Sequence, residues 1–449
     1  MDLRQNGNIR MGSRLVAGIL AGLLPIVVLA AEAQTEAEKS QELARKVSRL
    51  IEQLNDDRAS VRDRAESELL ELAGTDITQA DRFLKLLPQV NDQMPLGIRD
   101  RLSRIRHLVE DRIAKAAVGG TTITLSANNM PLSEVLTAIE RQTGNRLVDK
   151  RGDEAAAQSR VTLELNHEPF WSAVDHILDQ ARLDTYSYGD ENLLLLVARS
   201  SEAAPRLGRA SYSGPFRIEL VEVHCQRNLR QPQFSSLKLQ LEVAWEPRLR
   251  PIALSQPARD VELVTDDGST LGISRPEAVL DVEIPSGTQA AEIILPFRLP
   301  PREAKRITSL RGKLRALVPG RQVQFRFNDL VKAAGKSQRH GGVQVTVEDV
   351  RKVSDIWEVR MRLTLEEDNN ALQSHRGWVF QNLSFLLNKN GERIENAGLE
   401  TTRQTRNEVG IAYLFDIPNG LEGITWVYET PAAIVELPVE YELKEIELP

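Results

Sequence analysis

The second half of the chain is written twice, and this duplication limits what it can fold into more than any other feature. FRIELVEV at 216–223 matches VQVTVEDV at 343–350, LKLQLEVAWE matches WEVRMRLTLE, and VELVTDDGSTL matches LSFLLNKNGERI. IILPFRLP at 293–300 matches IAYLFDIP at 411–418, 118 residues on, and VQFRFNDL at 323–330 matches VEYELKEI at 439–446, 116 residues on. Matches that keep one order and nearly one spacing mean two copies of a single folding unit. Within them apolar residues alternate with polar ones, as in Phe216, Ile218, Leu220; Leu237, Leu239, Leu241, Val243; Ile293, Leu295, Phe297; and Val323, Phe325, Phe327. A period of two places those side chains on one face of a strand. Asp266-Asp267-Gly268, Pro285-Ser286-Gly287 and Pro319-Gly320 read as turns between strands. The expectation is two tandem antiparallel β-sandwiches of about seven strands each. They would occupy 213–331 and 343–449 and be joined by a Gly-containing polar linker at 332–342.

A second, shorter repetition precedes this one. ITLSANNMPLSEVLTAIERQTGNRLV is followed, 38 residues on, by VTLELNHEPFWSAVDHILDQARLDTY. Ile123 maps to Val161, Pro131 to Pro169, Ile139 to Ile177 and Gln142 to Gln180. Each half predicts a short strand, a proline at the first helical turn, then an amphipathic helix. Proline suits that place because it has no N–H to leave unpaired and its φ already fits a helix. A last strand, Asn192–Val197, closes the unit, predicted as a small two-layer α/β domain over 121–198. Residues 199–212 are small, polar and proline-containing and read as a linker.

The run Met130-Pro131-Leu132-Ser133-Glu134-Val135-Leu136, with Ile139 and Gln142-Thr143-Gly144 after it, resembles the short N-terminal domain of secretins and TonB-dependent signal-transducing receptors (the STN domain). Pro169-Phe170-Trp171-Ser172-Ala173-Val174 and the strands on either side extend the resemblance over 121–197. It implies a periplasmic protein-docking module without catalysis. The pore-forming or plugged barrel that follows such modules in those families has no counterpart in this sequence. The duplicated half broadly resembles immunoglobulin-like sandwiches, without their Cys…Trp…Cys spacing.

Residues 36–117 predict helices. Leu43, Val47, Leu50, Ile51 and Leu54 recur at helical spacing, as do Val61, Ala65, Leu69 and Leu72, with Gly74 placed as a C-cap. A short helix should run from Gln79 to Leu87 and stop at Pro88, and a longer one should carry Ile98 to Ala116. Within 50–117 an apolar helix end, Asn55-Asp56-Asp57, then Val61-Arg62-x-x-Ala65 resembles a HEAT repeat. HEAT repeats commonly form protein-binding surfaces, and a few of them can equally be a capping bundle.

The expected address is the bacterial envelope. Arg4, Arg10 and Arg14 precede the apolar run Leu15–Ala30, and Ala31-Glu32-Ala33 is a small-x-small cleavage pattern. These features predict a signal peptide at 1–33 and an exported, periplasmic or envelope-associated protein. Membrane contact would come only through that segment if it stayed uncleaved. The single cysteine, Cys225, excludes an intrachain disulfide. A net charge of −7 argues against nucleic acid as partner.

No nucleophile elbow, metal-binding helix motif or phosphate loop occurs. His176 and Asp179, with Asp175 and His167 nearby, read as the solvated face of an amphipathic helix rather than metal ligands. His340 and His375 read as solvated loop residues, and the arginines on the helix carrying Arg99, Arg101, Arg104 and Arg106 as a solvated face. No catalytic, cofactor or metal residues are therefore expected, and the protein is read as a non-enzymatic docking or scaffold protein of the envelope. Envelope or secretion-machinery proteins are its expected partners, with self-association beside them. Glu134, Glu140 and Arg141, on the outer side of the first α/β helix, are the candidate protein-binding residues. The alternative is a surface-structural or carbohydrate-binding protein acting through the sandwiches; aromatics on sandwich faces can bind glycans, but Trp245, Trp357, Trp378 and Trp426, borne on strands, read as core.

Overall fold

The structure, a computed structural model, describes residues 40–449 except 75, 89, 91–93, 153–156, 190–192, 285–286, 341, 366–375, 406 and 419. The expected signal segment and His375 lie outside the described residues. Among these residues no helix is long and apolar enough to cross a membrane. The chain divides into two compact units between Glu110 and Asp111.

The first unit is helical. Helix α1 covers residues 40–53 and is followed by α2 (Ala59–Leu72), α3 (Ile77–Leu86) and α4 (Leu96–Val118). Val47, Leu50, Leu54, Ala65, Leu69, Phe83, Leu102, Ile105 and Val109 are buried at the spacing the sequence predicts. Arg62 Nη1 donates to the carbonyls of Asp56 and Asp57, 2.8 Å each, and so closes the Asn-Asp-Asp turn. Gly74 takes φ +66°, the left-handed conformation expected of a C-cap glycine. The arginines of α4 are not simply solvated. Arg101 reaches Asp63 at 2.9 Å and Glu66, Arg104 reaches Glu66 at 3.1 Å, and Arg106 donates to the carbonyls of Leu87 and Pro88 just past α3.

The second unit opens with β1 (Thr122–Pro131), α5 (Leu132–Thr143), β2 (Arg146–Asp149), β3 (Arg160–Pro169), α6 (Phe170–Ala181), β4 (Leu183–Tyr186) and β5 (Leu193–Ala198). The 38-residue repetition is reproduced in detail. Asn129 and His167 both take φ near +50°, and Gly144 and Arg182 both end their helices in the left-handed region. Gln142 bonds the N–H and the carbonyl of Thr124 at 3.0 and 3.1 Å, and Gln180 does the same to Thr162 at 3.0 and 2.9 Å. The strands do not form the single sheet of a two-layer unit, however. β1 pairs antiparallel with β3, while β2, β5 and β4 form a separate sheet. Each helix packs on strands of both sheets.

The duplicated region follows. Its first copy is β6 (Ala210–Ser213), β7 (Phe216–Gln226), β8 (Ser236–Trp245), β9 (Ala253–Pro257), β10 (Val261–Thr265), β11 (Thr270–Leu271), β12 (Val279–Glu283), β13 (Ala290–Arg298) and β14 (Arg306–Phe327). Its second copy is β15 (Ser337–His340), β16 (Val343–Val353), β17 (Ile356–Leu365), β18 (Ser384–Leu387), β19 (Arg393–Glu395), β20 (Gly398–Gln404), β21 (Glu408–Asp416) and β22 (Thr425–Glu447). One sheet has the order β13-β8-β7-β6 and another β15-β16-β17-β21-β20. A third, ordered β11-β10-β14-β22-β18-β19, is common to both copies.

That third sheet departs from the sequence reading. Pro319-Gly320 is not a turn: β14 runs straight through it and pairs with β22 from Arg306↔Glu447 to Phe327↔Trp426. Two cores form, but not within 213–331 and 343–449. Phe325 and Phe327, at the end of the first copy, are buried in the second core beside Trp426 and Tyr428. Val439, Tyr441 and Leu443, at the end of the second copy, are buried in the first core beside Leu310 and Leu314. Residues 332–342, read as a linker, contain β15, which pairs with β16.

Candidate docking groove

Helix α5 buries Leu132, Val135, Leu136 and Ile139 and exposes Ser133, Glu134, Thr137, Glu140 and Arg141, as its amphipathic spacing requires. A groove runs between this exposed side and β1, lined by Leu125, Met130, Ser133, Glu134, Thr137, Ala138 and Arg141. Its apolar surface comes from Leu125, Met130 and Ala138. A carboxylate and a guanidinium, seven residues apart and therefore on one helical stripe, stand along it. The structure brings Glu134 and Arg141 together on the groove but not Glu140. Glu140 lies outside the lining and 4.0 Å from Arg146 of β2. The Thr137 hydroxyl donates to the Ser133 carbonyl at 2.8 Å.

The repetition supplies a direct comparison. Trp171, Asp175 and Asp179 of α6 occupy the places of Ser133, Thr137 and Arg141 of α5. That face of α6 is covered by the chain's own residues 199–217. Trp171 Nε1 donates to the Pro215 carbonyl at 3.0 Å. The fully buried Asp175 carboxylate accepts from Arg206 Nε at 2.8 Å, Arg217 Nε at 2.7 Å and the Tyr212 hydroxyl at 2.8 Å. Asp179 accepts from the backbone N–H groups of Arg206 and Leu207 at 2.8 and 3.0 Å and from Arg199 at 2.5 Å. Asp175 and Asp179 are thus not a solvated face. The stretch 199–212, expected as a linker, is pinned to the helix at Arg199, Arg206 and Leu207.

Electrostatics follow from this packing. Burial alone would raise the Asp179 carboxyl, but the two backbone N–H donors and Arg199 hold it below its ordinary value. Burial, and then Asp175, push the Tyr212 hydroxyl up. Although burial works against its charge, Arg217 is held protonated by Asp175 and Glu219, the latter at 2.6 Å. Glu242, beside this cluster on β8, is raised by burial.

Sequence reasoning missed Leu125, Met130, Ser133, Thr137 and Ala138 as groove residues, and Asp175 as a buried anchor. The signal that could have found them is the residue-by-residue contrast at offset 38: polar Ser133 and Thr137 stand where Trp171 and Asp175 demand a cover. Of the tryptophans of the duplicated region, Trp245 and Trp426 are sealed in the cores, Trp378 is 8% exposed and Trp357 is half-buried. Cys225 is exposed on β7, and the partial desolvation of its sulfur raises the thiol against the pull of Arg227. Among the described residues no group of three His, Cys, Asp or Glu is placed to hold a metal ion. No family model matches this chain, and no curated protein matches it.

Proposed function

We propose that this protein is a docking or scaffold protein of the bacterial envelope, and that its α5–β1 groove takes a segment of a partner protein. The observation that carries this reading is the occupied twin. The equivalent face of α6 already holds a piece of the chain, residues 199–217, through one indole, two carboxylates and backbone N–H donors. The α5 face has the same backbone frame and no such cover among the described residues. Its lining differs in charge. Arg141 replaces Asp179, and Glu134 stands one turn before Thr137. The segment it selects should therefore carry an acidic group toward Arg141 and a basic group toward Glu134, with small apolar residues between them on Met130 and Ala138.

The secretin-type resemblance of 121–197 supports the same reading, since the repeated strand–helix unit is a compact module with both helices packed between strands. The Arg62-closed turn between α1 and α2 suits a HEAT-like pair. The duplicated half is read as two β-sandwiches, each a pair of sheets facing one core, which would carry the docking module as a rigid support. Export rests on the leader-like sequence of 1–33. The test is affinity capture from envelope extract with the full chain and with Glu134→Lys/Arg141→Glu. Capture should fall at least tenfold while the melting curve stays within about 0.5 kcal/mol of the parent, as expected of exposed substitutions. Unchanged capture would place binding elsewhere.

A further inference from the structure

The two copies of the duplicated region exchange their last strands, and we propose that surface charge selects this exchanged pairing over the closed one. The closed alternative is defined in the first copy. Pro319-Gly320 has the residues of a type II turn, at some cost in strand twist for a two-residue hairpin. Closing on it would fold 321–327 back onto 306–318 and leave each copy to complete its own core.

Apolar patterning does not decide between these forms. Val323, Phe325 and Phe327 alternate as Val439, Tyr441 and Leu443 do, so either strand offers the same inward face to either core. Asp329 and Glu445, 116 residues apart, even share a left-handed φ of +56° and +55°. The outward faces differ. In the exchanged form Arg306 meets Glu445 at 2.7 Å, Arg311 meets Glu442 at 2.7 Å, Lys313 meets Glu440 at 2.7 Å and Arg315 meets Glu436 at 3.8 Å. In these four pairs every cation lies on β14 and every carboxylate on the distal part of β22, where Lys444 also reaches Glu442 at 3.1 Å. A hairpin closed at Pro319-Gly320 would set Lys313 opposite Arg326 and Arg315 opposite Gln324. The glutamates of β22 would fold back on 425–432, a strand with Glu429 and no cation.

Each exposed pair contributes little by itself. Specificity is a difference between two pairings, however, and here one pairing gains several attractions while the other meets like charge. The short flanking strands follow the exchange. Ser211 and Ser213 of β6 accept from the N–H groups of Glu442 and Glu440, while Gln338 of β15 bonds the backbone of Arg326.

Cysteine cross-linking in the full chain with Cys225→Ser tests this. Lys313→Cys with Glu440→Cys, register partners in the exchanged ribbon, should join efficiently within one chain. Lys313→Cys with Arg326→Cys, partners only in the closed hairpin, should not. Adding Arg306→Glu and Arg311→Glu should cut the first yield at least fivefold and raise the second. Adding Glu442→Arg and Glu445→Arg as well should restore the first, even if the intermediate variant folds poorly. Yields indifferent to charge reversal, or a first yield that the compensating pair fails to restore, would overturn charge selection. A dominant 313–326 cross-link in the unreversed chain would overturn the exchange itself.

Discussion

Asp175 is the residue on which most depends. It is fully buried, and three side chains from the covering segment and β7 converge on it. A buried carboxylate is tolerated only when its charge is matched, and removing one partner strands the others. Asp175→Ala should therefore lower the unfolding free energy in urea by about 3–5 kcal/mol. A loss under about 1 kcal/mol would mean that Arg206 and Arg217 find equivalent partners in Asp184 and Glu219. Acid titration tests the neighbours. Glu242 is raised above its ordinary value of 4.5, so the folded state binds its proton more tightly than the unfolded chain. Its contribution improves as pH falls from neutrality toward 4.5. Asp179 and Asp149 are held below 3.8, so their contributions are present above that value and are lost as pH falls through it. Stability should peak in mild acid and drop below about pH 4. Glu242→Gln should abolish the rise and keep the drop; a rise that survives it would assign the effect to another group.

At the scale of elements, glycines and aromatics fix the β14–β22 ribbon. Gly312 lies opposite Tyr441, whose ring fills the space a Cβ would need and whose hydroxyl donates to Gln256 Oε1 at 3.2 Å. Gly320 is crowded in the same way by Ala114 and the Ala433 carbonyl. Alanine at a strand glycine is normally favourable, but Gly312→Ala should cost about 1–3 kcal/mol by displacing the tyrosine. A neutral or stabilising result would show that the ring can move aside. The strands and helices themselves were legible because each has a buried stripe with its own period. Leu237 to Val243 alternates, and Leu132, Val135, Leu136 and Ile139 recur helically. The fate of Pro319-Gly320 was not legible. Its local chemistry is the same whether the chain turns there or runs on, and the choice depends on a strand more than a hundred residues later. The candidate site was half legible for a similar reason. The amphipathic stripe of α5 exposes Glu134 and Arg141, yet the burial of Asp175 depends on residues 199–217 folding over α6.

Across the unit from Asp111 onward, these contacts replace the loosely strung arrangement that the two linkers suggest. The α/β module is fastened to the first copy at the Asp175 cluster. A second fastening is Glu246, which accepts from the Thr121 N–H at 2.7 Å, Asn145 at 2.9 Å and Arg248 at 2.8 Å. The ribbon fastens the first copy to the second. Limited proteolysis should therefore spare 199–212, and a cut within 332–342 should leave two fragments that elute together under native conditions. Fragments that separate would contradict the exchanged ribbon. The claim that ties the molecule to its work is that the α5–β1 groove is an open copy of an occupied site. A photoreactive residue placed at Thr137 tests it most directly in cells that make the protein. The Thr137 probe should join to a second protein, and Glu134→Lys/Arg141→Glu should abolish that adduct. If the Thr137 probe yields no second protein, or its adduct is indifferent to those charges, the groove is not the docking site.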